Sequence, residues 1–321
     1  MIITRTPLRI SFVGGGSDQA AFFADEPGMV VSATIDKYIY LTFNRKYDGN
    51  VRVSYSKTEN VSRSSELEHG IVRNALQLAN WRYGIEITSG ADIPSGTGLG
   101  SSSAFTVGLL AGLFAYQGEY HSAAGLADSA CQVEIGMCHA PIGKQDQYAA
   151  AFGGLRSYTF HADRVDTEAI ALPADALHQF QRHLLLLDTG IRRDANVILA
   201  GQQTDLRSSQ KRENVRTIVH LARQFRTAVV SGSFDMCGMI LNEAWWYKRR
   251  MSGATNEHID RWYEQAKHAG AIGGKVCGAG GGGMMLFYAP EERHLDIMRA
   301  TGLSRIPFTF THQGATVIYA D

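Results

Sequence analysis

The hydrophobic and polar residues of this chain form two kinds of pattern, and each pattern predicts one type of secondary structure. Short runs rich in β-branched and aromatic residues, alternating or continuously apolar, indicate strands. The predicted strands span residues 2–13, 30–43, 51–55, 85–89, 183–188, 284–288 and 315–319. Longer runs without alternation, such as the one that places Ile71, Ala75 and Leu78 on one side, indicate helices. The predicted helices span residues 66–83, 101–117, 121–139, 194–229, 233–250, 256–269 and 291–301.

The order of these elements predicts the fold class. Strands and helices mix without a regular βαβ order, so we expect an α+β protein. The helix over 101–117 is apolar on nearly every side, which indicates a buried central position. Its continuously helix-compatible part, Ala104 to Tyr116, is shorter than the roughly 20 residues that cross a bilayer, so we expect no membrane span. Arg5 and Arg9 interrupt the apolar start of the chain, which argues against a signal peptide.

Length and composition indicate a globular protein of two domains. The chain has 321 residues, of which 45% are hydrophobic and 19% are charged. The composition shifts between Pro173 and Arg182, and we place the two domains at residues 1–180 and 181–321.

The charge balance and the cysteines indicate which ligands and which cellular compartment to expect. Lys and Arg number 31, as do Asp and Glu, and a chain without a basic excess is a poor candidate for nucleic-acid binding. The four cysteines show neither a CxxC pair nor zinc-ligand spacing, which is typical of a reducing compartment. We therefore expect a cytoplasmic protein. The sequence does not determine the oligomeric state, for which a homodimer is the candidate.

The segment from Pro94 to Phe105 carries the strongest chemical signal. It reads PSGTGLGSSSAF and leads directly into the apolar helix over 101–117. The free backbone N–H groups and partial positive charge of a helix start favour phosphate binding, and serine hydroxyls are suitable ligands for Mg²⁺. A P-loop would need a lysine after Gly100, and a dinucleotide-binding loop would need glycine at Ser101. The remaining alternative is a flexible glycine-serine turn.

A pair of carboxylates follows this segment. Glu134 lies near the end of the predicted helix over 121–139, and Asp146 lies beyond it, past Pro141 and Gly143. A helix followed by a reversing turn brings two such groups to one cleft. One would hold a metal ion, and the other would act on a substrate hydroxyl. The alternatives are a solvated helix face for Glu134 and a helix cap for Asp146.

Two further glycine clusters lie near the ends of the chain. The cluster Gly14–Gly16 ends a strand and is followed by Ser17 and Asp18, whose carboxylate suits hydrogen bonds to sugar hydroxyls or a helix cap. The cluster over 278–283 formally contains GxGxxG but leads into a strand, which excludes the dinucleotide reading. We expect it to pack closely against a ligand or a second loop.

These three glycine-containing segments, in this order, resemble the three motifs of the GHMP small-molecule kinases. The resemblance covers essentially the whole chain. It implies a two-lobed fold with an N-terminal domain similar to ribosomal protein S5 domain 2, a ferredoxin-like C-terminal domain, and an active site between them.

The resemblance also implies a role for each motif residue. Mg²⁺ would be held by Ser102 and Glu134, and Asp146 would act on the attacking hydroxyl with help from Arg9. The residues expected to bind ATP are Pro94, Gly96, Thr97, Gly98, Leu99, Gly100, Ser101, Ser102 and Ser103.

The implied substrate is a phosphorylated sugar. Galactokinases have Glu-His where this chain has Gly15-Gly16, which argues against galactose. The stretches PLRISFVGGGSD, IGKQDQYAAAFGG and KVCGAGGGG look similar to the D-glycero-D-manno-heptose 7-phosphate kinases of this family. Those enzymes phosphorylate the anomeric hydroxyl on the route to nucleotide-heptose and surface polysaccharide. The residues expected to bind the sugar phosphate are Gly15, Gly16, Ser17, Asp18, Gly143, Lys144, Arg192, Gly280 and Gly281.

A phosphorylated substrate needs a cationic clamp. Lys144 is the first candidate, because it precedes Asp146 by two residues. The other candidates are Arg192, Arg193, Lys248, Arg249 and Arg250, of which the last three also fit a solvated helix face. Three alternatives stay open: a GHMP kinase for a neutral sugar such as L-fucose, a mevalonate-pathway enzyme, and a sensor that binds ATP and sugar without turnover.

Overall fold

The computed structural model describes all 321 residues as two β-sheets with helices packed against them. The strands are β1 (Ile2–Val13), β2 (Gly28–Arg45), β3 (Val51–Ser54), β4 (Thr58–Val61), β5 (Ile85–Ala91), β6 (Leu155–Phe160), β7 (Val165–Ala169), β8 (Leu184–Asp188), β9 (Gly273–Val276), β10 (Met284–Tyr288), β11 (Ser304–Arg305) and β12 (Thr316–Ala320). The helices are α1 (Ala20–Phe23), α2 (Gly70–Leu78), α3 (Ser101–Gln117), α4 (Ala123–Cys131), α5 (Gln145–Phe152), α6 (Ala174–Arg182), α7 (Ala195–Asp205), α8 (Ser209–Val230), α9 (Phe234–Lys248), α10 (Glu257–His268) and α11 (His294–Thr301). The α+β class is confirmed.

The larger sheet has eight strands. Six follow the order β12-β1-β2-β5-β3-β4, and β6 and β7 continue from another part of β2. The long strand β2 pairs with β6 over Gly28–Ala33 and with β5 over Ile39–Arg45. Only β3 and β5 run parallel, so the sheet is almost wholly antiparallel.

Helices from both halves of the chain cover β1. The apolar helix α3 lies near the beginning of this strand, where the Thr4 hydroxyl donates to the Gly108 carbonyl at 3.1 Å. Near the end of the strand, the Phe12 ring centre lies 5.3 Å from that of Phe225 in α8 and 5.7 Å from that of Phe180 in α6. The main hydrophobic core is therefore continuous across both halves.

The smaller sheet is antiparallel, with the order β11-β8-β10-β9. Its second layer is a separate apolar cluster, in which Leu187 and Phe287 from the sheet meet Ile259, Tyr263 and Ile297 from α10 and α11. These strands hold the third glycine cluster, because the loop between β9 and β10 contains it.

The division into residues 1–180 and 181–321 stays a prediction. The proposed boundary falls inside α6, and Phe180 is fully buried in the shared core. The last strand, β12, returns to pair with β1 in the larger sheet. No helix has the length and apolar character needed to cross a membrane.

Most predicted elements are present, and the differences have local causes. The helix predicted over 66–83 is shorter, because Asn80 adopts a left-handed φ of 48° after α2. The helix predicted over 194–229 is two helices, α7 and α8, separated by three residues. The helix predicted over 121–139 begins after Ser122, whose side chain accepts from the Gly125 amide, and continues as a π-helix over Gln132–Met137.

Candidate active site

A large cavity lies where the three glycine segments meet. Its volume is about 1290 Å³. That exceeds the roughly 300–1,000 Å³ of most ligand sites, so it has room for two ligands side by side. Its walls come from the end of β1, the loop before α3, the beginnings of α5 and α7, the end of α9 and the end of β9.

The loop before α3 turns its backbone toward this cavity. Gly98 and Gly100 line it with φ angles of 83° and 76°, in the left-handed region that only glycine adopts readily. Thr97 and Leu99 alternate with them and are fully buried. Ser101, Ser102 and Ser103, in the first turn of α3, complete this wall. The free N–H groups of the helix start therefore face the space in which a phosphate chain would lie.

The third glycine cluster supports this loop from behind. The Met284 amide donates to the Thr97 carbonyl at 2.9 Å. A Cβ on Gly98 would lie 2.4 Å from the Cys277 carbonyl oxygen, so the two segments are in backbone contact. The expectation of close packing against a second loop fits this contact.

The predicted metal ligands Ser102 and Glu134 are in direct contact. The Ser102 hydroxyl donates to Oε1 of Glu134 at 2.7 Å, and the Gln147 amide donates to Oε2 at 2.7 Å. Glu134 is almost fully buried, and this burial raises the pKa of its carboxyl. It is not a solvated residue, because the π-helix turns it into the cavity wall.

The predicted catalytic residues Arg9 and Asp146 form a two-pronged ion pair. Nε and Nη2 of Arg9 donate to the two carboxylate oxygens of Asp146, each at 2.7 Å. The remaining nitrogen, Nη1, donates to the Gly98 carbonyl at 2.7 Å. Asp146 is therefore fixed beside the glycine loop, and its position in the first turn of α5 aims it into the cavity.

Asp18 organises the triple-glycine turn. Its carboxylate accepts from the Gly16 amide at 2.8 Å and from the Gln145 side chain at 3.0 Å. Burial raises the pKa of this carboxyl. Gly15 and Gly16 expose their backbone to the cavity, and Gly143 lines it beside them.

Four of the residues predicted to bind substrate do not face the cavity. Ser17 is buried, and its hydroxyl donates to the Gly14 carbonyl at 2.8 Å. Gly280 and Gly281 pack against the segment that contains Ala254. The Lys144 ammonium lies 5.1 Å above the centre of the Phe23 ring, outside the cavity.

The direction of Lys144 has a simple cause. Lys144 and Asp146 are two residues apart at the beginning of α5, and residues two apart point to different sides of a helix. Lys144, the first candidate for the cationic clamp, therefore points away from Asp146 and the cavity.

Other cations line the cavity instead. Arg193 precedes α7, Lys248 ends α9, and Lys275 lies on β9. Arg192 also lines it but is paired with Asp188 at 2.7 Å. Lys275 is buried, and its ammonium donates to the Ser11 carbonyl at 2.8 Å.

Only part of the run from Lys248 to Arg250 is a solvated helix face. Arg250 is exposed and lies over the Trp246 ring, and Arg249 pairs with Asp260 at 2.8 Å. Lys248 points the other way, into the cavity.

An aromatic region of the cavity was not found from the sequence. The His69 ring lies 4.6 Å from that of Tyr55 and 5.3 Å from that of Phe105, measured between centres. Burial lowers the pKa of His69, which favours the neutral ring. These residues come from three separate elements near the loop before α3, so no sequence motif unites them. Their faces and edges suit a flat heterocycle.

Comparison with known proteins finds matches to both domains of one kinase family. Residues 67–154 match the N-terminal domain of the GHMP kinases, and residues 241–301 match the C-terminal domain. A D-glycero-alpha-D-manno-heptose 7-phosphate kinase from Campylobacter jejuni is 28% identical, covering 98% of this chain and 97% of the relative.

Solved structures share the fold over the full length. A D-glycero-D-manno-heptose 1-phosphate kinase from Bacteroides thetaiotaomicron has a TM-score of 0.81 and 24% identity over 100% of both chains. A putative sugar kinase from Campylobacter jejuni has a TM-score of 0.78 and 26% identity, covering 98% of this chain and 97% of the other. With both domains matched in order and the fold shared end to end, this chain is similar to the GHMP kinases throughout, and we identify it as a kinase.

Proposed function

We propose that the protein is a sugar-phosphate kinase. It transfers the γ-phosphoryl group of ATP to the anomeric hydroxyl of D-glycero-D-manno-heptose 7-phosphate, giving the 1,7-bisphosphate for nucleotide-heptose and surface polysaccharide synthesis. The observation that carries the proposal is the Arg9–Asp146 ion pair beside the glycine loop. The named activity of the Campylobacter relative, which spans nearly the whole chain, supports the choice of sugar.

ATP would lie along the loop before α3. Its phosphates would accept from the backbone N–H groups between Gly96 and Ser103, and its base would lie near Tyr55, His69 and Phe105. In this arrangement the terminal phosphoryl group points toward Asp146.

Ser102 and Glu134 are suited to hold Mg²⁺. Both offer oxygen atoms, which this ion prefers, and the buried Oε1 of Gln147 next to Glu134 has no hydrogen-bond partner. No cluster of three or more acidic, histidine or cysteine side chains is present, so phosphates and water would complete the coordination. When bound, Mg²⁺ neutralises charge on the transferred phosphoryl group.

Asp146 would accept a hydrogen bond from the anomeric hydroxyl and direct its oxygen toward phosphorus. It takes the hydroxyl proton as the new bond forms. Arg9 holds both carboxylate oxygens in place and contributes a positive charge where negative charge is transferred. In phosphoryl transfer this positioning and charge neutralisation supply most of the rate enhancement.

A coupled ADP-release assay with Mg·ATP tests the proposal. The acceptors are D-glycero-D-manno-heptose 7-phosphate, the unphosphorylated heptose, galactose, L-fucose and mevalonate, and Asp146→Asn is the control. We expect turnover on the heptose 7-phosphate alone, lost in the control. Turnover confined to a neutral sugar or to mevalonate contradicts the substrate, and ATP binding without turnover on any acceptor favours a sensor.

A further inference from the structure

Three cations of the cavity have no carboxylate partner. Arg193, Lys248 and Lys275 form no ion pair, although each lines the cavity. Nε and Nη1 of Arg193 are buried without any hydrogen-bond partner. Cations removed from water are normally paired, because an unpaired buried charge is strongly unfavourable. Such a cluster indicates a site whose negative charge is supplied by a ligand.

Lys248 is held in place by a neutral acceptor. Its ammonium donates to Oε1 of Gln202 at 2.8 Å. The Gln202 amide nitrogen donates to the carbonyls of Ser252 and Ala279, at 3.2 and 2.7 Å, which fixes its oxygen toward the lysine. The nearby carboxylate of Asp205 is occupied by Lys211 and Ser252. The charge of Lys248 is thus positioned without a direct ion pair, and the carboxylates of Asp18 and Asp205 act on it only from a longer distance.

Lys248 lies beside the triple-glycine turn, and Arg193 lies beside the phosphate loop. A Cβ on Gly16 would lie 3.6 Å from the Lys248 ammonium, whereas the equivalent atom on Gly98 would lie 3.3 Å from Nη2 of Arg193. Arg193 is therefore placed to contact a ligand at the phosphate loop, and Lys248 to contact one at the triple-glycine turn.

Gln19 adds an unpartnered donor to the same side. Its side chain is only 2% exposed, lines the cavity, and has no hydrogen-bond partner for either its oxygen or its nitrogen. A buried amide without partners costs free energy, which a ligand with acceptor oxygens would recover.

We propose that Lys248 and Gln19 form the subsite for the acceptor's own phosphate, the group that is not transferred. The inference rests on the proposed sugar-phosphate kinase function. Lys248 contributes the charge, Gln19 a neutral donor and Gln202 the positioning contact. Burial lowers the pKa of Lys248 to about 8, and a bound phosphate would restore its preference for the charged form.

Isothermal titration calorimetry with inorganic phosphate tests the subsite without requiring turnover. Saturating AMP-PNP and Mg²⁺ first occupy the nucleotide wall. We expect wild-type protein to bind one phosphate, Lys248→Met to lose this binding, and Lys248→Arg to keep most of it. Arg250→Met is the matched control, because Arg250 is an exposed cation two residues away, and it should bind as wild type does. Absence of phosphate binding by the wild type, or unchanged binding by Lys248→Met, overturns the inference.

Kinetics separate this inference from the proposed function. For Lys248→Met we expect kcat/KM for heptose 7-phosphate to fall about 10- to 100-fold, the effect of losing a charged hydrogen bond, with KM for ATP unchanged. An unchanged kcat/KM for heptose 7-phosphate in Lys248→Met would overturn the subsite and leave the kinase function standing. Absence of turnover by the wild type on every acceptor would reject the function, while the calorimetry still decides the subsite.

Discussion

The two walls of the cavity differ in whether their charged side chains are paired. On the wall formed by the N-terminal half, Arg9 is paired with Asp146. Glu134 on this wall accepts from two side chains. On the wall formed by the C-terminal half, Arg193, Lys248 and Lys275 have no carboxylate partner.

This difference distinguishes the residues proposed to take part in phosphoryl transfer from the cations proposed to bind phosphate groups. The paired residues are fixed before any ligand arrives, as preorganised catalysis requires. The unpaired cations are a charge complement to phosphates and become balanced only in the complex. Variants that disrupt one wall at a time therefore separate the two roles.

The largest effect on activity is expected for Asp146→Asn, on the N-terminal wall whose charged residues are paired. The amide cannot take the hydroxyl proton and accepts only one of the two Arg9 hydrogen bonds. We expect kcat to fall about 10²- to 10⁴-fold, the usual range for loss of an acid-base group, in steady-state assays. The exposed Asp163→Asn is the control. A variant that keeps its melting temperature and more than a tenth of wild-type kcat would contradict the assigned role.

The next effect concerns the backbone of the phosphate loop, and a matched pair of glycines isolates it. Gly98→Ala places a Cβ 2.4 Å from the Cys277 carbonyl oxygen at a φ of 83°. Gly49→Ala has a similar φ of 75° but no atom within 4 Å. We expect the free energy of unfolding to fall by about 1–2 kcal/mol for Gly49→Ala and by about 2–5 kcal/mol for Gly98→Ala.

Urea unfolding and the KM for ATP measure this pair. Only Gly98→Ala should raise KM, because only this loop faces the nucleotide. Equal effects of the two variants on stability and on KM would show that backbone contact between the loops is unimportant.

A smaller effect on kcat/KM is expected from pH, through the unpaired lysines of the C-terminal wall. Burial lowers the pKa of Lys248 and of Lys275 to about 8. Because phosphate binds the charged form, kcat/KM for the sugar phosphate should fall as pH rises above about 8, by up to tenfold per unit. The charged groups around Lys248 are Asp18, Asp205, Arg193 and Lys275.

Lys248→Arg sharpens this pH prediction. Arginine stays charged throughout, so the decline attributable to position 248 should disappear. An identical pH profile in wild type and Lys248→Arg would show that the decline belongs to another group.

The smallest effect is expected on the free energy of unfolding of the ligand-free protein, through the charge of Lys248. Lys248 has a folded pKa of about 8, below its ordinary value of 10.5, so the unfolded chain binds more protons between these values. The free energy of unfolding should therefore rise with pH from about 8 to 10.5. At pH 7, Lys248→Met should stabilise the ligand-free protein by about 1–2 kcal/mol in urea unfolding. A destabilised variant would mean that Lys248 serves the fold rather than the ligand.

Local signals in the sequence were sufficient for much of the fold and for the paired wall. The predicted bounds of α3, residues 101–117, agree with the structure because glycine precedes and follows its apolar run. Ser122 marks the beginning of α4, since its hydroxyl caps the helix. Glu134 and Asp146 meet Ser102 and Arg9 as their motifs suggest.

The C-terminal wall could be predicted only in part, because Arg193 and Lys248 are among the candidate cations of the sequence but no pattern selects them from the other four. Lys275 meets the carbonyl of Ser11 across 264 positions, and no local pattern encodes such a contact. Lys144 shows the converse, because its place in the motif beside Asp146 does not give the direction of its side chain. Gln19 carries no motif, and only its burial without partners marks it.

The most direct test is a crystal structure of the wild-type protein with AMP-PNP, Mg²⁺ and D-glycero-D-manno-heptose 7-phosphate. It reports both walls at once. We expect the nucleotide phosphates along residues 96–103, the anomeric hydroxyl at Asp146, and the sugar's phosphate at Lys248 and Gln19. A sugar phosphate bound at Lys144, or a heptose whose anomeric oxygen lies away from Asp146, would contradict the account.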